Sequence, residues 1–139
     1  MKVREVMTAD VQLASPNDTL QTVAQQMAQL DVGVMPIGEG RRVQGMVTDR
    51  DIAVRGVAQG LDASTPISQV MTGNLEYVMA DDDVDQAHDK MSAAQVRRLP
   101  VLDQNQELVG IVALGDLARD DDREAGATLE EISSAPPNN

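Results

Sequence analysis

Gly45-Met46-Val47-Thr48-Asp49-Arg50-Asp51-Ile52 and Gly110-Ile111-Val112-Ala113-Leu114-Gly115-Asp116-Leu117 are one passage written twice, 65 residues apart. In both, a glycine opens an apolar run that reads as a strand, and the acidic stretch after it reads as the start of a helix. The correspondence extends towards the N-terminus. Pro36 answers Pro100, Val32 answers Val96, Met27 answers Met91, and Val6-Met7-Thr8 answers Val70-Met71-Thr72, all at an offset of 64. One residue is therefore inserted between Pro100 and Gly110, a place where a turn absorbs it. The repeat covers about residues 6–56 and 70–119. So many ordered matches are not a chance event, and an internal repeat dictates the fold.

Each copy reads in the order β-α-β-β-α. A short extended stretch comes first, Val11-Gln12-Leu13 or Leu75-Glu76-Tyr77-Val78. Ser15-Pro16-Asn17-Asp18 supplies cap chemistry for a helix whose stripe is Leu20, Val23, Ala24, Met27 and Leu30. In copy two Asp81-Asp82-Asp83 opens the helix, and Val84, Ala87, His88 and Met91 form the stripe. A hairpin follows. Val34–Ile37 and Val43–Val47 flank a polar Gly-Glu-Gly-Arg-Arg turn, and Leu99–Leu102 and Leu108–Val112 flank Asp103–Glu107. A last helix runs from about Asp49 to about Gly60, and its counterpart is expected to begin near Asp116. The class is α/β (α+β). The boundaries read as 1–60 for the first repeat, 61–69 for a linker, 70–122 for the second, and 123–139 for an acidic, partly disordered tail.

Composition bounds what these units do. A unit of roughly 60 residues buries too little surface to be comfortable alone, so the two are expected to associate. Tyr77 is the only aromatic residue, and the core must come from aliphatic side chains and eight Met. That methionine content has two readings, an adaptable core and plain gap filling. With no Cys, disulfides and thiolate metal sites are excluded. The net charge of −12 is uneven: residues 1–73 carry −2 and residues 74–139 carry −10. An acidic chain is repelled by phosphate backbones, which argues against nucleic acid as a partner. No run approaches a membrane span, and the N-terminus has no signal-peptide pattern, so no membrane is expected and the location is read as cytoplasmic.

These residues resemble the CBS domain family. The likeness is carried by Val6-Met7-Thr8 and Val70-Met71-Thr72, the Met35-Pro36-Ile37 and Leu99-Pro100-Val101 strands, and the passage from Gly45 to Ile52. It spans nearly all of the chain except the tail. The resemblance implies a tandem pair of CBS repeats, a Bateman module, packed sheet to sheet about a pseudo-twofold axis. It also implies a homodimer of such pairs. Between the repeats, family members commonly bind an adenosine compound: AMP, ADP, ATP or S-adenosylmethionine.

The family's site has a Thr or Ser followed three residues later by an Asp. Here these are Thr48 and Asp51. A carboxylate accepts hydrogen bonds from paired ribose hydroxyls, and a hydroxyl adds a contact to ribose or phosphate. The same two residues also read as a helix cap, and both readings stand. Copy two keeps Asp116 but has Ala113 in place of the Thr, so its site is expected to be weaker or empty. Arg97 and Arg98 occupy the place where nucleotide-binding relatives carry a His-Arg pair that contacts phosphate. Adjacent strand residues face opposite ways, so one Arg is expected to face the cleft and meet the phosphate; the alternative is that these Arg residues pair with local Asp residues. The resemblance adds Val11, Met35, Pro36, Leu99 and Pro100 as site residues. Gly45 and Gly110 mark a close backbone or ligand approach, or a bulge.

No catalytic triad, phosphate loop, dinucleotide fingerprint or calcium loop is present, and His88 has no second His or Cys with which to hold a metal. The chain is therefore read as a non-enzyme with no required cofactor. Two functions compete. One is an adenosine-ligand sensor acting on an effector protein in trans. The other is a ligand-free structural or interaction dimer whose acidic tail recruits a basic partner.

Overall fold

The computed structural model describes residues 1–117. The acidic tail, 123–139, and the Asp120-Asp121-Asp122 run lie outside the described residues. The chain divides into two compact units, one built from Met1–Val11 with the chain from Glu76 onward, the other from Gln12–Leu75.

In the Gln12–Leu75 unit, helix α1 (Leu20–Leu30) buries Leu20, Val23 and Met27. Ala24 and Leu30 were expected in the stripe but are exposed, so the buried face is narrower than the apolar one. The cap also moves. Ser15 and Asp18 close a turn, with Asp18 Oδ2 accepting from Ser15 N at 3.0 Å, and Thr19 caps α1 by accepting from Thr22 N at 3.1 Å. Strands β2 (Val34–Glu39) and β3 (Arg42–Thr48) form the expected antiparallel hairpin, with Met35 opposite Val47 and Ile37 opposite Gly45. The first strand shrinks to one parallel bridge, Ala14 to Ile37, rather than Val11–Leu13. After β3 comes α2 (Asp49–Asp51), which widens into a π turn over Ile52–Gly56 and tightens over Val57–Gln59 before Gly60 ends it at φ +77°.

The other unit repeats the plan. Its sheet runs β1 (Thr8–Ala9), β6 (Leu108–Ala113), β5 (Arg98–Leu102), β4 (Val78–Met79). Helix α3 (Val84–Ala94) is capped at Asp83, and buries Val84, Ala87, His88 and Met91, the expected stripe. Helix α4 begins at Leu114, two residues before the expected start at Asp116, and is described to Leu117. The inserted residue sits in the hairpin turn. Residues 39–42 separate Gly38 from Val43 in one copy, and 103–107 separate Leu102 from Leu108 in the other. Asp103 Oδ1 closes the longer turn by accepting from Asn105 N at 2.8 Å and Glu107 N at 3.0 Å.

One feature cuts across the sequence repeat. The N-terminal arm heads copy one in sequence but pairs with copy two: Thr8 lies opposite Ile111 and Ala9 opposite Gly110. Thr72, heading copy two, bridges to Met46 of copy one. Each arm thus edges the sheet of the other repeat. The repeats along the sequence and the packing units in space are different divisions of the chain.

The two strand glycines exist for these arms. A Cβ on Gly45 would stand 2.8 Å from Met71 Sδ and 2.8 Å from Thr72 O, and one on Gly110 would stand 2.6 Å from Met7 Sδ and 2.6 Å from Thr8 O. Of the readings open from sequence, close backbone approach is realised, and a register shift lies beside it: the pairing slips between Ile37 and Gly38, opposite Gly45 and Val43, and between Val101 and Leu102, opposite Gly110 and Leu108. The units have separate cores. Val3, Val78, Val84, Met91, Leu99, Val101, Val112 and Leu117 belong to one, and Leu20, Val23, Met27, Met35, Ile37, Val47, Ile67 and Val70 to the other.

Candidate functional site

The corner where β3 turns into α2 holds Thr48 and Asp51. Thr48 is the last residue of β3 and is buried. Its Oγ1 accepts from Asp51 N at 3.0 Å, while Asp51 Oδ2 accepts from Thr48 N at 2.9 Å. This reciprocal box satisfies two backbone donors that a helix start leaves without partners. The capping reading is thus realised. It does not exhaust the carboxylate, because the box engages Oδ2 and an ionised carboxylate offers about four lone pairs. Asp51 is half-buried, open enough to meet a ligand from outside. A polar group oriented by its own cap is already placed for a second partner.

Copy two has half of this corner. Asp116 Oδ2 accepts from Ala113 N at 2.8 Å, so the carboxylate is held as Asp51 is. With Ala113 there is no hydroxyl to return the bond.

Arg98 opens β5 and lies opposite Ala113, while Val34 lies opposite Thr48 in the other unit. The same position at the two corners is therefore cationic in one repeat and apolar in the other. Arg97 spends its carbonyl on Leu114 N, at 2.8 Å, as Gly33 spends its own on Asp49 N, at 3.0 Å. Both arginine side chains are exposed, and the register puts Arg98 at the corner.

The remaining expected residues divide. Met35 and Leu99 are each 1% exposed inside the two cores, so their side chains are committed to packing and only their backbone can serve a ligand. Pro36 and Pro100 lie on the opposite face of their strands, paired with Met46 and Ile111. Val11 is half-buried and ends the N-terminal arm, so it belongs with copy two in space. Thr48, Asp51, Met35 and Pro36 share one unit, and Val11, Arg97, Arg98, Leu99, Pro100 and Asp116 share the other.

Ile52, Val57 and Leu117 are the sequence's candidates for a helix face that a second chain would cover; Val57 is 69% exposed, Ile52 is half-buried and Leu117 is 0% exposed. Leu117 therefore drops out, because it closes a core instead. His88 is 2% exposed on the α3 stripe. Among the described residues no group of three or more His, Cys, Asp or Glu could hold a metal ion. No helix among them is long and apolar enough to cross a membrane. Sequence reasoning missed Arg55, whose Nη1 donates to Val70 O at 3.1 Å and Thr72 Oγ1 at 3.3 Å.

A model of the CBS domain family matches residues 3–56 and 67–122. The CBS domain-containing protein YhcV of Bacillus subtilis is 46% identical over 133 residues, covering 94% of each chain. Among solved structures, Hypoxic Response Protein I with two coordinated zinc ions is 38% identical, with a TM-score of 0.77 over 86% of this chain and 98% of that one. A CBS domain protein of Pyrobaculum aerophilum complexed with AMP is 28% identical, with a TM-score of 0.78 over 97% and 100%. A CBS domain pair in complex with 5-methylthioadenosine and S-adenosyl-L-methionine is 26% identical, with a TM-score of 0.77 over 89% and 98%.

Proposed function

The chain belongs to the CBS domain family, and from that premise we propose that it is a regulatory module rather than an enzyme, binding an adenosine-containing ligand and signalling to a partner protein in trans. The observation that carries this is the Thr48–Asp51 corner. There a half-buried carboxylate, held through one oxygen by its own cap, presents acceptors at the position where the family grips a ribose. Relatives solved with AMP, or with 5-methylthioadenosine and S-adenosyl-L-methionine, support the ligand class. Asp51 holds the ribose in its unit, and Arg98, at the Ala113–Asp116 corner of the other unit, contacts phosphate. Asp116 serves a second, weaker site. The protein acts as a homodimer in the cytoplasm, and its negative charge disfavours nucleic acid as the partner.

The test is a thermal-shift screen with AMP, ADP, ATP, S-adenosylmethionine and NADH, followed by calorimetry. A ligand that binds only the folded state raises the midpoint with concentration, by the equivalent of about 2.7 kcal/mol at a hundredfold excess over Kd. No shift with any of the five at millimolar concentration would reject the sensor. The reading would then pass to a ligand-free interaction dimer, which the missing hydroxyl at Ala113 favours for copy two.

A further inference from the structure

The Thr48–Asp51 corner is tied to the arm by which the chain leaves its unit. Met46, two residues before the corner, donates its N–H to Thr72 O at 3.0 Å and accepts from Thr72 N at 2.8 Å. Arg55, four residues after Asp51, closes the same arm from the other side, with Nη1 donating to Val70 O and Thr72 Oγ1. The arm is therefore clamped twice, by the strand that enters the corner and by the helix that leaves it.

The helix is shaped for this contact. Across Ile52–Gly56 it widens to a π turn, with Val57 N reaching back to Ile52 O as well as Ala53 O. A π turn adds one residue to the ladder and changes which side chains share a face. Gly56 is buried, and a Cβ there would stand 3.1 Å from Leu20 Cδ1, so the turn seats tightly against α1. With Thr48 and Asp51 fixing the first turn and Gly56 seated, Arg55 has a defined place over the arm. In the other repeat the same position is Asp120. Asp120 lies outside the described residues.

We propose that Arg55 transmits the state of the Thr48–Asp51 corner to the arm at Val70–Thr72, so that occupancy of the corner sets how firmly the chain is held before it continues into its other unit. The ligand half of this statement rests on the corner being a nucleotide site. The mechanical half does not. A ligand that draws on Asp51 competes with or reinforces the box that starts the helix. The helix turn carries that change to the guanidinium, and the guanidinium passes it to the arm. Coupling of this kind is read as local opening of specific backbone hydrogen bonds.

The experiment is amide hydrogen exchange on the full chain, read at Thr72 and Met46, for wild type, Thr48→Ala, Arg55→Met and the double variant. Arg55→Met should raise exchange at Thr72 about tenfold, the scale of one charge-assisted hydrogen bond. Thr48→Ala should also raise it, and the double variant should exchange no faster than the faster single, the signature of one pathway. Unchanged Thr72 exchange in Thr48→Ala, or effects that multiply independently, would overturn the coupling. If Arg55→Met does not fold, Arg55→Lys keeps the charge, loses the planar fork and should give an intermediate rate; a wild-type rate there counts against the proposal. The second arm adds AMP. Exchange at Thr72 should slow in wild type and stay unchanged in Arg55→Met, although AMP binds both. Equal slowing in both proteins would overturn the transmitting role. If AMP does not bind wild type, the ligand reading of the corner fails, and the ligand-free cycle still decides the coupling.

Discussion

Replacing Gly45 or Gly110 by Ala should prise an arm off its sheet. A new Cβ would meet Thr72 O at 2.8 Å or Thr8 O at 2.6 Å, where ordinary contact begins at 3.4 Å. The methionine at each site can swing away, but the carbonyl is backbone. The arm must therefore withdraw by about 0.6 Å at Gly45 and about 0.8 Å at Gly110. At Gly45 such a movement stretches the Met46 N to Thr72 O bond from 3.0 Å to about 3.6 Å, past hydrogen-bond length. Losing one or two such bonds costs about 0.5–1.5 kcal/mol each. Against this, alanine restricts the unfolded chain and returns about 0.4–1 kcal/mol. With two bonds lost at about 1 kcal/mol each and about 0.7 kcal/mol returned, the net expectation is a destabilisation of about 1.3 kcal/mol, with an upper bound of about 2.6 kcal/mol. Urea unfolding followed by circular dichroism measures it, and the emission of Tyr77 follows the unit that contains Gly110. Gly115→Ala is the control: nothing among the described residues lies within 4 Å of its Cβ, and in a helix the change stabilises by up to about 1 kcal/mol. The pair Gly45→Ala with Met71→Ala should not rescue stability, because Thr72 O remains in place. If Gly45→Ala and Gly110→Ala both fall within about 0.5 kcal/mol of wild type, the range of unremarkable surface changes, the arms do not sit as described.

Asp51→Ala should weaken AMP, ADP, ATP and S-adenosylmethionine alike, by about tenfold to a hundredfold, since all share the ribose, and more than Asp116→Ala does; calorimetry showing the reverse ranking would move the better site to copy two. Arg98→Ala should instead be selective, with ATP and ADP losing most, AMP less and S-adenosylmethionine least, and equal losses would reject its phosphate role. Sedimentation at micromolar concentration should give a dimer, and a monomer would remove the homodimer; Val57→Asp, placing a charge on a 69% exposed valine, should weaken that dimer if this face forms it.

Much of this was legible before any coordinates, for local reasons. The stripe Val84, Ala87, His88 and Met91, the two hairpins and the turn that takes up the extra residue all follow from periodicity and turn chemistry, which act over a few residues. The Thr48–Asp51 pair reads as a cap or as a ligand site because its spacing serves either purpose, and the cap is the reading the structure realises. The misreadings have local causes as well. Ala24 and Leu30 fit the helical period but not the narrower face that α1 buries. Met35 and Leu99, expected as site residues, can meet a ligand only through their backbone, because strand alternation sends their side chains into the cores.

By itself, then, the sequence determined the repeat, the order of elements, the two hairpins and which residues stand at each corner. Only the tertiary structure decided which arm meets which sheet. Val6-Met7-Thr8 and Val70-Met71-Thr72 are nearly the same segment, and Gly45-Met46-Val47 and Gly110-Ile111-Val112 offer nearly the same edge. β-pairing is made by backbone groups that every residue carries, so two like arms and two like edges cannot be matched by pattern. The match is settled by where the intervening chain delivers each arm, and so are the two facts that depend on it: the crowding at Gly45 and Gly110, and the reach of Arg55 to Val70 and Thr72.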